Sequence, residues 1–144
     1  MKELTVLAVG KLRDPGLRKL CDDYYRRCKG RFQVREVEVR DNKRLAAALP
    51  AGGGKIIMLD ERGDQLTSKA FSEAVSGWVS NPAGSPTLVI GGADGLGDDM
   101  RKRASRLLSL GKITLAHRLV RVVLAEQLYR AVSIMEGSPY HREG

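Results

Sequence analysis

Apolar residues along this chain fall into two alternating rhythms: short continuous runs and longer helical stripes. Leu4 to Val9 is a near-continuous apolar run closed by Gly10, the pattern of a strand buried on both faces. Asp14-Pro15 opens a helix predicted to reach about Lys29, with proline suited to its first position. Leu17, Leu20, Cys21, Tyr24, Tyr25 and Cys28 form the apolar stripe of that helix, and Arg18, Lys19, Arg26 and Arg27 lie largely outside it. Phe32 to Val39 alternates imperfectly and predicts a second strand with a charged face. Asp41 is placed to cap a short helix through Leu49, which Pro50 and the Gly52-Gly53-Gly54 turn end.

Ile56 to Leu59 predicts a third strand, Ser68 to Val79 a helix, and Thr87 to Ile90 a fourth strand running straight into Gly91–Gly97. Asp98 and Asp99 then start a helix, where carboxylates suit the helix dipole. Lys112 to Leu115 reads as a short fifth strand, and Arg118 to Met135 as the last helix, closed by Gly137 and Pro139. This alternation predicts a three-layer α/β fold with a mostly parallel sheet, in one domain spanning 1–144. Such sheets hold ligands at the carboxyl ends of their strands, so the loops after the third, fourth and fifth strands are the places to look.

Composition adds a partner class. With 42% hydrophobic and 29% charged residues, the chain can build a core and is not of the disordered type. Lys and Arg number 25 against 17 Asp and Glu, a formal charge of +8, which favours a polyanionic partner over simple solubility. Cys21 and Cys28 sit two turns apart on one helix face, too far for a relaxed disulfide, and no Cys/His cluster supplies four metal ligands. They read as partly buried thiols of a reducing cytoplasm. The apolar run at the amino terminus is too short for a signal peptide, and no stretch has the length to span a bilayer, so a cytoplasmic location is expected.

Two glycine clusters can be tested on spacing. Gly52-Gly53-Gly54-Lys55 fails as a phosphate loop, because Leu49 stands where the first glycine is needed and Ile56 follows the lysine. Gly92, Gly95 and Gly97 are not in dinucleotide-binding order and follow the fourth strand rather than the first. Gly91–Gly97 still lets backbone approach a ligand closely after a buried strand, a use that competes with a plain tight turn. His117 stands just before an arginine-studded helix that is apolar nearly all round, from Leu119 to Met135, and must be covered by the core or a second subunit. Glu126 and Arg130, four apart, are expected to pair. The carboxyl-terminal Tyr140, His141 and Arg142 combine stacking, proton transfer and phosphate contact.

Ile90-Gly-Gly-Ala-Asp-Gly-Leu96, His117-Arg-Leu-Val-Arg121, Glu126-Gln-Leu-Tyr-Arg-Ala131 and Pro139-Tyr-His-Arg142 together resemble the large-subunit ribosomal RNA pseudouridine N3-methyltransferase family, of the SPOUT class. The resemblance covers the whole chain, beginning at Val9-Gly10-Lys11, and is most specific from Ile90 to Arg142. It implies a carboxyl-terminal trefoil knot, a homodimer, and S-adenosylmethionine as cofactor. Leu59, Gly91, Gly92, Gly111, Lys112, Ile113, Thr114, Leu115 and Ala116 map onto cofactor contacts. The implied substrate is a pseudouridine on the assembled ribosome, and no metal is implied. The family often has proline where this chain has Ala116, Arg118 occupies a variable position, and the region between strands two and three is short.

In that setting His141 is expected to handle the N3 proton or position the base, and Tyr140 to stack on or orient it. Arg142 and His117 are expected to hold phosphate or the uracil-like carbonyls. Arg101, Lys102, Arg103, Arg106 and Arg118 are expected to contact RNA, the first four as a solvated face. Two other readings compete: an enzyme of the same fold acting on another RNA, and a non-catalytic ribosome-binding module. The second leaves the uncharged glycine loops at strand ends without a reason.

Overall fold

The computed structural model describes residues 2–143; Met1 and Gly144, the ends of the expected domain, lie outside the described residues. Its strands are β1 (Glu3–Val9), β2 (Gln33–Val39), β3 (Ile56–Gln65), β4 (Thr87–Ile90) and β5 (Arg106–Ser109). They form one sheet in the order β2-β1-β4-β3-β5, with every ladder parallel. The helices are α1 (Pro15–Arg27), α2 (Asn42–Ala48), α3 (Ser68–Val79), α4 (Asp98–Arg101), α5 (His117–Glu136) and α6 (Tyr140–Glu143), with a 3-10 turn at Cys28–Gly30.

The strand period of two splits the apolar residues into two cores. Leu4, Val6, Ala8, Ile57, Leu88, Ile90 and Leu108 face one side and pack on Cys21 and Tyr25 of α1, Phe71 and Val75 of α3, and Leu124, Leu128 and Val132 of α5. Leu7, Met58 and Val89 face the other side, against Leu45 of α2, Leu49, Leu96 and Met100 of α4. Asp14, Asp41 and Thr67 cap α1, α2 and α3 by accepting bonds from the backbone N–H groups of Leu17, Arg44 and Ala70 at 2.9–3.0 Å. All three boundaries fall where the sequence pattern puts them, within a residue or two.

The fifth strand does not. Lys112 to Leu115 is a loop, with Ile113 82% exposed, and the strand is Arg106–Ser109. Ile113-Thr114 has strand propensity but no neighbouring ladder; Leu107 and Leu108 instead pair with Met58 and Leu59 of β3. Tertiary pairing overrides local preference here. The third strand is also longer than expected: after an irregularity between Leu59 and Asp64 it rejoins β5 through Gln65. The helix opened by Asp98 is a single turn, which leaves Arg106 on a strand. The tail folds into α6, so Tyr140, His141 and Arg142 are held on a helix.

Crossovers leave neighbouring strands in opposite directions. The chain leaves β1 through α1 toward β2, and leaves β4 through α4, on the other face, toward β5. The carboxyl ends of β1 and β4 therefore flank the point where the winding reverses, where open α/β sheets form a ligand crevice.

Candidate functional site

Next to that point, a cavity of about 480 Å³ opens over the carboxyl ends of β4, β3 and β5. Leu59, Ile90 and Leu108 form its apolar floor at the strand ends, and the 91–96 and 109–115 loops form two of its walls. His117 and Val120 of α5 close one side, and Asp60, Glu61 and Arg101 the other. Its volume is within the range of about 300–1,000 Å³ usual for small-molecule sites.

The glycine wall is shaped by contacts a side chain would break. A Cβ on Gly91 would come 2.7 Å from Leu96 Cδ2, so a larger residue there would make Leu96 shift. Gly111 has φ +139, a conformation side chains rarely adopt, and the space in front of it is open. Asn42, at the start of α2, donates to the Gly95 carbonyl at 2.7 Å and accepts from the Gly92 N–H at 3.4 Å. His117 Nε2 lies 2.8 Å from the Gly91 carbonyl oxygen. A carbonyl only accepts, so Nε2 carries the proton in this contact and Nδ1 remains available on the other side of the ring.

One turn after His117, Arg121 is 1% exposed. It donates to the Gly10 carbonyl at 3.1 Å and reaches Glu38 at 2.6 Å and Glu36 at 2.9 Å. Glu38 also accepts the Leu12 N–H at 2.9 Å, and Arg18 reaches Glu36 at 2.6 Å. Burial pushes the Glu38 carboxyl up, but the bonds from Arg121 and the Leu12 N–H outweigh it and hold the group below the usual carboxylate range. The network fixes the loop after β1 to the amino-terminal half of α5, beside the cavity.

The second charged pair lies in the cavity wall. Arg101 donates to Asp60 at 2.7 Å and to Asp98 at 2.7 Å. Burial raises the Asp60 carboxyl, and the Arg101 and Arg62 N–H bonds more than reverse this. Arg101 is thus engaged with carboxylates and is not part of a free solvated face. Arg106 bonds Asp64 at 3.1 Å, and Arg103 donates to the Ala46 carbonyl at 3.1 Å. Lys102 and Arg118 are exposed.

Of the residues mapped to a cofactor, all line the cavity except Ala116, which precedes α5 as its cap. His117 lines it too; Tyr140 and His141 do not. The Tyr140 hydroxyl donates to Glu126 at 2.8 Å, and its ring meets Tyr129 edge-on at 4.7 Å. Burial, the Tyr24 hydroxyl and the Glu126 carboxylate push the Tyr140 hydroxyl well above an ordinary phenol. Glu126 holds Arg130 at 2.8 Å, as its spacing predicts. His141 Nδ1 lies 2.9 Å from Ser133 Oγ, and Arg142 is exposed. The sequence reading missed Asp60, Asn42 and the Glu36–Glu38–Arg121 network. Only Arg121 carried a signal, its helical spacing of four from His117.

A parallel sheet with a glycine-walled cavity at the carboxyl ends of its strands defines an α/β protein of the kind that holds a small cofactor there. Residues 1–141 match the family model described as "Predicted SPOUT methyltransferase". The chain is 44% identical to the ribosomal RNA large subunit methyltransferase H of Ruegeria pomeroyi, over 96% of this chain and 98% of that one. It is 41% identical to the protein of that name from Hyphomonas neptunium, over 96% and 98%. The chain belongs to the SPOUT methyltransferase family, among its ribosomal RNA large subunit methyltransferase H members. The fold is shared with a probable methylase family protein of Haemophilus influenzae at TM-score 0.57 and 10% identity, covering 93% of this chain and 66% of that one. It is also shared with a probable methyltransferase of Bordetella pertussis at TM-score 0.53 and 15% identity, covering 91% and 94%.

Proposed function

We propose that this protein methylates N3 of a pseudouridine in large-subunit ribosomal RNA, using S-adenosylmethionine, as a cytoplasmic homodimer acting on the assembled ribosome. The observation that carries the reading is the cavity over the carboxyl ends of β3, β4 and β5, lined by Leu59, Gly91, Gly92 and the Gly111–Leu115 segment. The relatives named for ribosomal RNA large subunit methylation share nearly the full length of the chain.

The lining suits the cofactor. Leu59, Ile113 and Leu115 offer apolar surface for an adenine ring, and the open space before Gly111 admits a ligand against backbone. Glu61 and Asp94 offer anionic partners for the ammonium and sulfonium groups, and Lys112 a cationic one for the carboxylate. S-adenosylmethionine, when bound, supplies an electrophilic methyl group on sulfur. The protein's part is to hold the target nitrogen in line and to remove its proton. His117 fixes the Gly91 turn through Nε2, and its Nδ1 is free to meet a substrate group.

Tyr140 and His141 serve a cavity other than their own, that of the second subunit. His141 handles the N3 proton or positions the base, Tyr140 orients the base, and Arg142 meets phosphate. Exposed Ile113 and Leu119, 82% and 41% accessible beside the cavity, support a second copy packing there. Lys102, Arg103 and Arg118 contribute to RNA contact, and the carboxyl-terminal segment threads as a trefoil knot.

Calorimetric titration with S-adenosylmethionine tests the cofactor half of this reading. Saturable binding that Gly111→Val abolishes is expected. A wild-type protein that folds and takes up no cofactor overturns the reading.

A further inference from the structure

We propose that the loops following β1 and β2 form a phosphate-binding platform, built from Lys11, Arg13, Arg40 and Lys43, that docks the RNA backbone beside the cavity mouth. The proposal rests on the RNA-methylating reading above and adds to it the surface that holds the substrate.

Sheet order places the platform. The carboxyl ends of β2, β1 and β4 are consecutive along one edge, so residues 10–13 and 40–43 lie next to the 91–97 wall of the cavity. Two bonds tie them together: the Gly10 N–H donates to the Val39 carbonyl at 2.7 Å, and Asn42 joins α2 to Gly95 at 2.7 Å. A load on these loops is therefore transmitted to the cavity wall through two or three hydrogen bonds.

This edge carries four exposed cations on two adjacent loops. Lys11, Arg13, Arg40 and Lys43 are all exposed, and none is in an ion pair among the described residues. The carboxylates nearest in sequence are engaged elsewhere. Asp41 pairs with Arg44 at 2.6 Å and caps α2, Asp14 caps α1, and Glu38 is taken by Arg121. Past β4 two of the cations are engaged, Arg101 by Asp60 and Asp98 and Arg106 by Asp64, while Lys102, Lys112 and Arg118 stay exposed. On the outer face of α1, Asp22 and Asp23 interleave with the cations. Unpaired positive charge beside the cavity thus lies on the β1 and β2 loops, and it continues past the glycine wall at Lys102, Lys112 and Arg118.

The chemistry selects a nucleic-acid backbone. The apolar residues of these loops, Leu12 and Leu45, are buried, so the platform offers no apolar anchor for a protein hot spot or a lipid core. Mobile cations spread over two adjacent loops suit a row of phosphates, whose counterions are released on binding.

The test compares wild type with K11A/R13A/R40A/K43A, and with K29A/K55A at the opposite edge as a charge control. Methyl transfer to ribosomes lacking the modification is followed against ribosome and salt concentration. The expected result is a rise in KM on the order of tenfold or more, with kcat retained. The log–log salt slope should become shallower by about 3, roughly 0.7–0.9 per lost phosphate contact. Thermal stability and S-adenosylmethionine affinity of the fourfold variant should match wild type, and K29A/K55A should behave as wild type throughout. An unchanged KM and salt slope overturns the platform. If the wild type transfers no methyl to ribosomes, the functional reading fails instead, and filter binding of a ribosomal RNA fragment still decides the platform. Equal RNA retention by wild type and variant overturns it, as does a deficit seen only on phosphatidylcholine–phosphatidylserine vesicles.

Discussion

His117 Nε2 bonds the Gly91 carbonyl at 2.8 Å, joining the first residue of α5 to the residue that leaves β4. The bond ties α5 to the glycine wall and so holds two sides of the cavity together. His117→Ala should weaken S-adenosylmethionine binding by roughly two- to tenfold, the worth of one hydrogen bond of about 0.5–1.5 kcal/mol. His117→Gln should recover part of the loss by supplying an N–H. Calorimetry on the two variants checks this; an affinity unchanged by both would show that the bond does not shape the site.

Arg121 and Glu38 should matter most to stability. Removing one partner of a buried pair leaves the other uncompensated, and Glu38 keeps some solvent access, so Arg121→Ala is expected to cost roughly 3 kcal/mol, the low end for such pairs. Denaturant unfolding measures it. Glu38 is held below its ordinary value of 4.5, so its contribution is complete above that pH and is lost as pH falls through the lower folded value. Stability of wild type should therefore drop in acid below about pH 4.5. Glu38→Gln should be less stable at neutral pH and should show a flatter decline in that window.

Much of this architecture is legible in the sequence, because caps and apolar runs are local signals. Asp14 and Asp41 announce their helices, and Thr87–Ile90, buried on both faces, reads as an apolar run. The fifth strand is not legible, because Arg106–Ser109 is a strand only by virtue of pairing with β3, and Ile113-Thr114 mimics one. The site is half legible. Glycine loops and His117 stand out by spacing, whereas Asp60 and Arg101 are 41 positions apart and meet only through the sheet order. For the same reason Arg101 and Arg106 look like solvated cations in the sequence and turn out to be engaged with carboxylates. The helical spacing of Tyr140 and His141 gives no hint that α6 packs them on Glu126 and Ser133, away from the cavity of their own chain.

Cys21 and Cys28 are both fully buried, and burial pushes their thiols up to about 11 and about 12. The thiolate is the reactive form, so neither should be alkylated at neutral pH in the native protein. Iodoacetamide labelling followed by mass spectrometry should give no adduct natively and two after unfolding. Fast native labelling would show that α1 opens readily.

The tail provides a test of the dimer. If Tyr140 and His141 complete the second subunit's site, His141→Ala homodimers should bind cofactor within about twofold of wild type, since no bond to the cavity is lost, yet transfer slowly. Gly111→Val homodimers should fail to bind it. Mixed dimers of the two variants should regain activity at the one site that has an intact cavity and an intact tail. Mixing that restores nothing would place His141 in the service of its own chain.

The most direct measurement is methyl transfer from labelled S-adenosylmethionine to purified ribosomes lacking the modification, followed by mass mapping of the RNA. Label on N3 of a large-subunit pseudouridine is the expected result. Label on another atom or another RNA, or no transfer by a protein that binds the cofactor, would contradict the proposed reaction.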